Sequence, residues 1–259
     1  MKLTQQRMVS LLAVAVAIGC GGRPEQASAK DAQKPIVMAA ATADAPPAAA
    51  GSASVNGSVK FTGTAPTPER VKMDADPQCA MQHKDPVTKQ DVVVNPNGTL
   101  KSVFVYVKEG AQPTAAPKTP VQLTQHGCMY EPHVLGIQVN QPFEIINSDA
   151  TLHNVNCKPT KSKPFNIAQP TQGMKSSKQF TAPEVMVPCK CNVHPWMASY
   201  IGVLDHPYYA VTGDDGSFAI KGLPAGQYTL EAWHEKYGTS TKTVTVADGE
   251  SKQVDFEFK

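Results

Sequence analysis

The apolar residues of this chain come in short runs, mostly of roughly five to eight residues, with proline, glycine or asparagine near many of their ends. The runs at 134–139 and 143–146, for example, are parted by Asn140-Gln141-Pro142. Twenty-two prolines and 18 glycines are spread along 259 residues. An amphipathic helix of ordinary length would have to absorb these breakers, and no helical period persists beyond the first twenty residues. Such spacing suits strands and turns, so the chain reads as all-β.

The remaining composition is that of a globular protein, 41% apolar and 18% charged, with a formal net charge of +2. That balance supplies no basic field for nucleic acid, so no nucleic-acid partner is expected. The length allows one large or two modest domains, each able to bury a core.

The first residues look like an export signal. Lys2 and Arg7 precede an apolar run, 8–18, about half of the ~20 residues needed to span a bilayer. The run closes on Ala17-Ile18-Gly19-Cys20, which resembles a bacterial lipobox, although leucine is usual where Ala17 stands. That resemblance implies a signal peptide over 1–19, a lipid on Cys20 that holds the chain to a membrane, and a periplasmic or cell-surface lipoprotein. An ordinary secretory signal is the alternative. Residues 20–53, rich in Ala, Pro, Ser and Gly, read as a flexible tether.

Beyond the tether, Gly57-Ser58-Val59-Lys60-Phe61-Thr62-Gly63 reads as a strand and turn, and 101–107 as a strand with apolar residues at 103, 105 and 107. Between them, 65–90 is a polar excursion carrying Cys79. The tail reads as short strands at 208–212, 217–220, 227–233, 242–246 and 253–258, with Asp214-Asp215-Gly216 and Pro224-Ala225-Gly226 as turns.

Val211-Thr212-Gly213-Asp214-Asp215-Gly216-Ser217-Phe218, followed by Gly222-Leu223-Pro224-Ala225-Gly226-Gln227-Tyr228, resembles the carboxypeptidase regulatory-like (transthyretin-like) β-sandwich. That family opens on a Gly-x-Val strand, which 206–259 lacks and Gly57-Ser58-Val59 fits. The resemblance implies a sandwich split between 54–120 and 206–259, enclosing a domain at 121–205. Two consecutive domains cut near residue 205 are the simpler alternative.

The chemistry lies in 121–205. His153 follows the strand 143–146 and the segment Asn147-Ser148-Asp149, and Cys191-Asn192-Val193-His194-Pro195-Trp196-Met197 comes later. One thiolate, two imidazoles and a thioether are the donor set of a mononuclear copper site. A short loop between strands brings three of these donors around one ion, and the fourth arrives from a neighbouring strand. These residues resemble the cupredoxins, with an amicyanin- or plastocyanin-like ligand loop. The resemblance implies a Greek-key sandwich in which His153, Cys191, His194 and Met197 bind copper and Asn154 ties the two ligand loops together. It also implies that His194-Pro195-Trp196 forms the exposed end, where electrons leave.

Cys189 departs from the family pattern. A binuclear copper centre uses two cysteines with wider spacing. Residues two apart on a strand lie about 7 Å apart on one side, a poor fit to that centre. A Cys/His zinc site leaves Met197 without a role. In the cupredoxin arrangement the strand after His153 lies antiparallel to the strand before Cys191. The resemblance therefore implies a Cys157–Cys189 disulfide, with Cys79 and Cys128 left to each other and Cys191 left for metal.

The other histidines, His83, His126, His133 and His206, are expected in solvent near turns or strand ends, and His234 is read as a satisfied surface residue. Phosphate loops, a Gly-x-Ser-x-Gly elbow, a haem motif and a further histidine cluster are missing from the sequence. The chain therefore reads as an electron carrier serving an unidentified redox partner, not an enzyme. The alternatives are a copper-handling lipoprotein without redox turnover and a metal-free structural or interaction lipoprotein.

Overall fold

A computed structural model describes residues 51–259. The signal segment, Cys20 and the tether up to residue 50 lie outside the described residues.

The described chain opens with β1 (Ala53–Phe61), α1 (Pro77–Ala80) and β2 (Phe104–Glu109). Nine strands follow: β3 (Val121–His126), β4 (Met129–Glu131), β5 (Val134–Gln138), β6 (Phe143–Asn147), β7 (His153–Cys157), β8 (Phe165–Gln169), β9 (Lys175–Lys178), β10 (Glu184–Lys190) and β11 (Ala198–Leu204). The tail adds β12 (Tyr209–Val211), β13 (Ser217–Leu223), β14 (Gly226–His234), β15 (Gly238–Val246), β16 (Ser251–Gln253) and β17 (Phe256–Phe258). α1, a single turn capped by Asp76, is the one helix among the described residues.

The middle strands build two sheets, β5-β11-β10-β7-β8 and β4-β3-β6-β9. Leu123, Ile137, Phe143, Ile145, Val155 and Ile201 fill the space between them. β6 shows why: its residues alternate between buried and half-buried, the period-2 signature of a strand with one face on a core.

The second sandwich draws on both ends of the described chain. β1 pairs antiparallel with β13 and parallel with β16 and β17, while β2 lies between β12 and β14. Val55, Val59, Val105, Ile220, Leu230 and Phe256 form its core. The strand read as one at 253–258 is broken into β16 and β17, both paired with β1.

β2 does not alternate, because both of its faces are covered. Val103, Val105 and Val107 point into the sandwich core, whereas Phe104 and Tyr106 cluster with Val134 and Leu204 of the middle strands. Gly136 and Gly202, paired across β5 and β11, make room for this seam. A Cβ on Gly202 would fall 2.3 Å from the Phe104 ring, and one on Gly136 would fall 2.2 Å from Tyr209. Real Cβ atoms do not approach so closely, so a side chain at either position would force the aromatic ring beside it to move.

Of the histidines expected in solvent or at the surface, His206 and His234 are buried and His133 is half-buried. His206 and His234 are 5% and 2% exposed, and the His133 side chain is nine-tenths covered. The His206 ring stacks on Tyr208 and the His234 ring on Tyr237, while His133 Nδ1 donates to the Ala198 carbonyl. His133 also meets Tyr200 and His234 also meets Phe258, rings far away in sequence. His126 is exposed as expected.

Candidate metal centre

Three donors meet at one end of the five-stranded sheet because of how its strands pair. β7 begins at His153 and β10 ends at Lys190, and the two strands run antiparallel with Cys157 opposite Cys189. β10 and β11 form a hairpin whose connection is 191–197. His153 and Cys191 therefore emerge at the same end, and the hairpin loop folds back to add His194.

His153 Nδ1 lies 2.9 Å from His194 Nδ1, and Cys191 Sγ lies 3.9 Å from His194 Nδ1. The donor atoms of all three residues fall within 4.8 Å of one another, and all three residues are buried. Met197 is fully buried and closes the loop through its main chain. Its N–H donates to the His194 carbonyl at 3.0 Å, and its carbonyl accepts from the Cys191 N–H at 3.2 Å. The Asn154 side chain joins the two ligand segments, since Oδ1 accepts from the Asn192 N–H at 2.7 Å and sits 3.4 Å from Cys191 Sγ.

Each imidazole is oriented from behind by a carboxylate. His153 Nε2 faces Asp149 Oδ2 at 2.8 Å, and Asp149 is itself held by the Gly127 and Cys128 N–H groups at 2.8 Å each. His194 Nε2 faces Asp76 Oδ2 at 2.9 Å. A carboxylate only accepts, so both Nε2 atoms carry hydrogen and both Nδ1 lone pairs are directed at each other.

The ionisation pattern agrees. Burial opposes charge on Cys191, but His153 and the N–H groups of Asn154, His194 and Val193 outweigh it and hold the thiol below its ordinary range. Burial likewise opposes protonation of His153, yet Asp149 and then Cys191 push its pKa up to about 9. Asp149 is held low despite its burial, chiefly by His153. The pocket thus brings together a thiol whose ionisation is favoured and two aligned imidazole nitrogens, a donor set suited to a soft or borderline ion.

Both disulfides join the pairs that the cupredoxin resemblance implies, Cys157–Cys189 and Cys79–Cys128, and Cys191 is the free cysteine among the described residues. With Cys189 bonded to Cys157, no second thiolate remains for a binuclear centre. Two further His/Cys clusters depend on Cys79 and Cys128, whose sulfurs are bonded to each other.

The expectation that His194 forms the exposed end is overturned. His194 is 2% exposed. The excursion 65–90 folds over it, bringing Asp76 and α1, with Cys79 Sγ 3.5 Å from His194 Nε2. The Cys79–Cys128 bond pins this roof to the turn between β3 and β4. Asp76 is a functional residue that sequence reasoning missed. Its local signal, Asp-Pro before a helical turn, predicts only a cap, and the same carboxylate does accept from the Gln78 N–H at 2.9 Å. Bonding to His194, first among its causes, holds the Asp76 carboxyl below its usual range.

No curated protein sequence matches this chain. Among solved structures, the chain is similar to a Cu-containing nitrite reductase (NirK) from Thermus scotoductus SA-01, at 26% identity and TM-score 0.32, over 39% of this chain and 25% of that one. The similarity thus spans about a quarter of the reductase. It is also similar to a purple cupredoxin from Nitrosopumilus maritimus, at 22% identity and TM-score 0.28, over 32% of this chain and 97% of that one. A Cu(I) amicyanin mutant gives 20% identity and TM-score 0.29, over 38% and 97%. The fold is all-β, as the sequence implied, and residues 202–259 match the family model of the carboxypeptidase regulatory-like domain.

Proposed function

We propose that the chain is an exported, lipid-anchored electron carrier with one copper ion held by His153, Cys191, His194 and Met197. It is periplasmic or on the cell surface, tied to a membrane through Cys20, and transforms no substrate of its own. The observation that carries this reading is the pair of Nδ1 atoms 2.9 Å apart beside a buried thiol, each imidazole fixed from behind by a carboxylate. When bound, copper would supply a one-electron couple there. The chain's residues do the rest: Asp149 and Asp76 aim the rings, Asn154 locks the two loops, and the roof keeps water from His194. Fixed ligands limit rearrangement when charge changes, which favours fast electron transfer. No helix among the described residues is long and apolar enough to cross a membrane.

The test is copper uptake followed by voltammetry. One copper per chain with a reversible one-electron wave supports the carrier. Tight copper without a reversible wave makes the chain a store. No copper in protein purified from its host refutes both.

A further inference from the structure

Resting on the copper reading above, we propose that electrons enter and leave through a cationic face around Pro195, and that this face docks an acidic redox protein. The usual exit through the ligand imidazole is closed, because the Asp76 carboxylate and the Cys79–Cys128 bond stand between His194 and solvent. The chain after His194 turns the other way. Pro195 is exposed and Trp196 is half-buried, with its ring centroid 5.2 Å from that of His194. The indole N–H donates to the Cys128 carbonyl at 2.9 Å, which fixes the ring in this contact.

Two depressions meet at Lys190 and Pro195. One, of about 430 Å³, is lined by Cys191, Asn192 and Lys158, so it reaches the thiol's own residue. The other, of about 200 Å³, is walled by Trp196 and Tyr200. A partner seated here is therefore one side chain from a ligand on either path.

The charge of this face selects the partner. Lys158 and Lys190 are exposed, and neither has an ion-pair partner among the described residues. No carboxylate lines the depression that reaches Cys191. Its neighbour is lined by three lysines, Lys89, Lys190 and Lys236, against two carboxylates, Asp91 and Glu235, so cations predominate there too. The roof segment 65–90 is balanced, with Arg70, Lys72, Lys84 and Lys89 against Glu69, Asp74, Asp76 and Asp85, and its Asp76 is engaged by His194. An acidic surface is thus drawn to the Pro195 side.

Two measurements test this on the whole folded chain. In the first, hexacyanochromate(III), a paramagnetic anion, is titrated into metal-free protein and amide NMR lines are followed. Broadening should centre on 156–158 and 190–196 and disappear in Lys158→Glu/Lys190→Glu. Broadening centred on 74–81 and 149–152, or none at all, overturns the proposal. This readout needs no copper, so it stands even if the copper reading fails.

In the second, reduced copper-loaded protein is oxidised by hexacyanoferrate(III), one electron passing to the iron(III) complex and leaving it iron(II). The double variant should slow this by about 10-fold at low ionic strength. It should not slow oxidation by the cationic tris(phenanthroline)cobalt(III), and the difference should vanish near 1 M salt, where screening acts within about 3 Å. Equal rates for wild type and variant with the anionic oxidant refute the proposal.

Discussion

Removing the Cys79–Cys128 bond should both destabilise the chain and uncover His194. The two cysteines are separated by 49 positions. Releasing a loop of that length restores denatured-chain entropy worth about 4 kcal/mol at 25 °C. Part of the loss is recoverable at one position. Gly127 and Cys128 both have positive φ, 59° and 53°, in the turn between β3 and β4. A side chain is strained there where glycine is not, so Cys79→Ala/Cys128→Gly should be up to about 1 kcal/mol more stable than Cys79→Ala/Cys128→Ala. Urea unfolding of the metal-free proteins measures both differences. The slope m should rise in the variants, because an uncrosslinked denatured chain exposes more surface, so free energies and not midpoints are compared. A loss below about 1 kcal/mol in the double-alanine variant would show that the bond does not tie the roof down.

Other outcomes follow from the same contacts. His194→Gly in copper-loaded protein should not regain its visible band with added imidazole while the roof is intact, and should regain it once Cys79→Ala/Cys128→Ala is added; ready repair beneath the intact roof contradicts the closure. Burial holds the His234 pKa down to about 4, and its Nδ1 accepts from the Lys236 N–H. An unfolded histidine titrates near 6.5, so this contribution is complete above that pH and is lost as pH falls towards 4, by at most about 3 kcal/mol. His234→Gln should flatten that stretch of the stability–pH curve, and an unchanged slope would refute the assignment. Mass spectrometry of the mature exported chain should find a diacylglycerol-modified Cys20 as its first residue, and any other start contradicts lipid anchoring.

The meeting of His153, Cys191 and His194 was legible because its information is local. Cys191 and His194 lie within one hairpin connection, and His153 opens the strand that pairs with the hairpin's first arm. The Cys157–Cys189 pairing came from the same register. Asp76 was not legible, since nothing within its own segment says that a polar excursion will fold over a histidine so distant in sequence. The same holds for β2. Its valines marked one buried face, but the burial of Phe104 and Tyr106 depends on β5 and β11, which approach closely only because Gly136 and Gly202 lack side chains. His133 and His234 were misread for the same reason, because Tyr200 and Phe258 come from elsewhere in the chain, whereas His206 lies against Tyr208, its own near neighbour.

Copper bound by this chain should take its thiolate from Cys191 and not from Cys189. The most direct measurement is the visible and EPR spectrum of the Cu(II)-loaded chain beside those of Cys191→Ala and Cys157→Ala/Cys189→Ala. Wild type should show an intense thiolate-to-copper charge-transfer band with a copper EPR signal of one ion per chain. The band should vanish in Cys191→Ala and persist in Cys157→Ala/Cys189→Ala, which loses the second disulfide and keeps the ligand set. A band that survived Cys191→Ala, or that disappeared from folded Cys157→Ala/Cys189→Ala, would contradict the assignment.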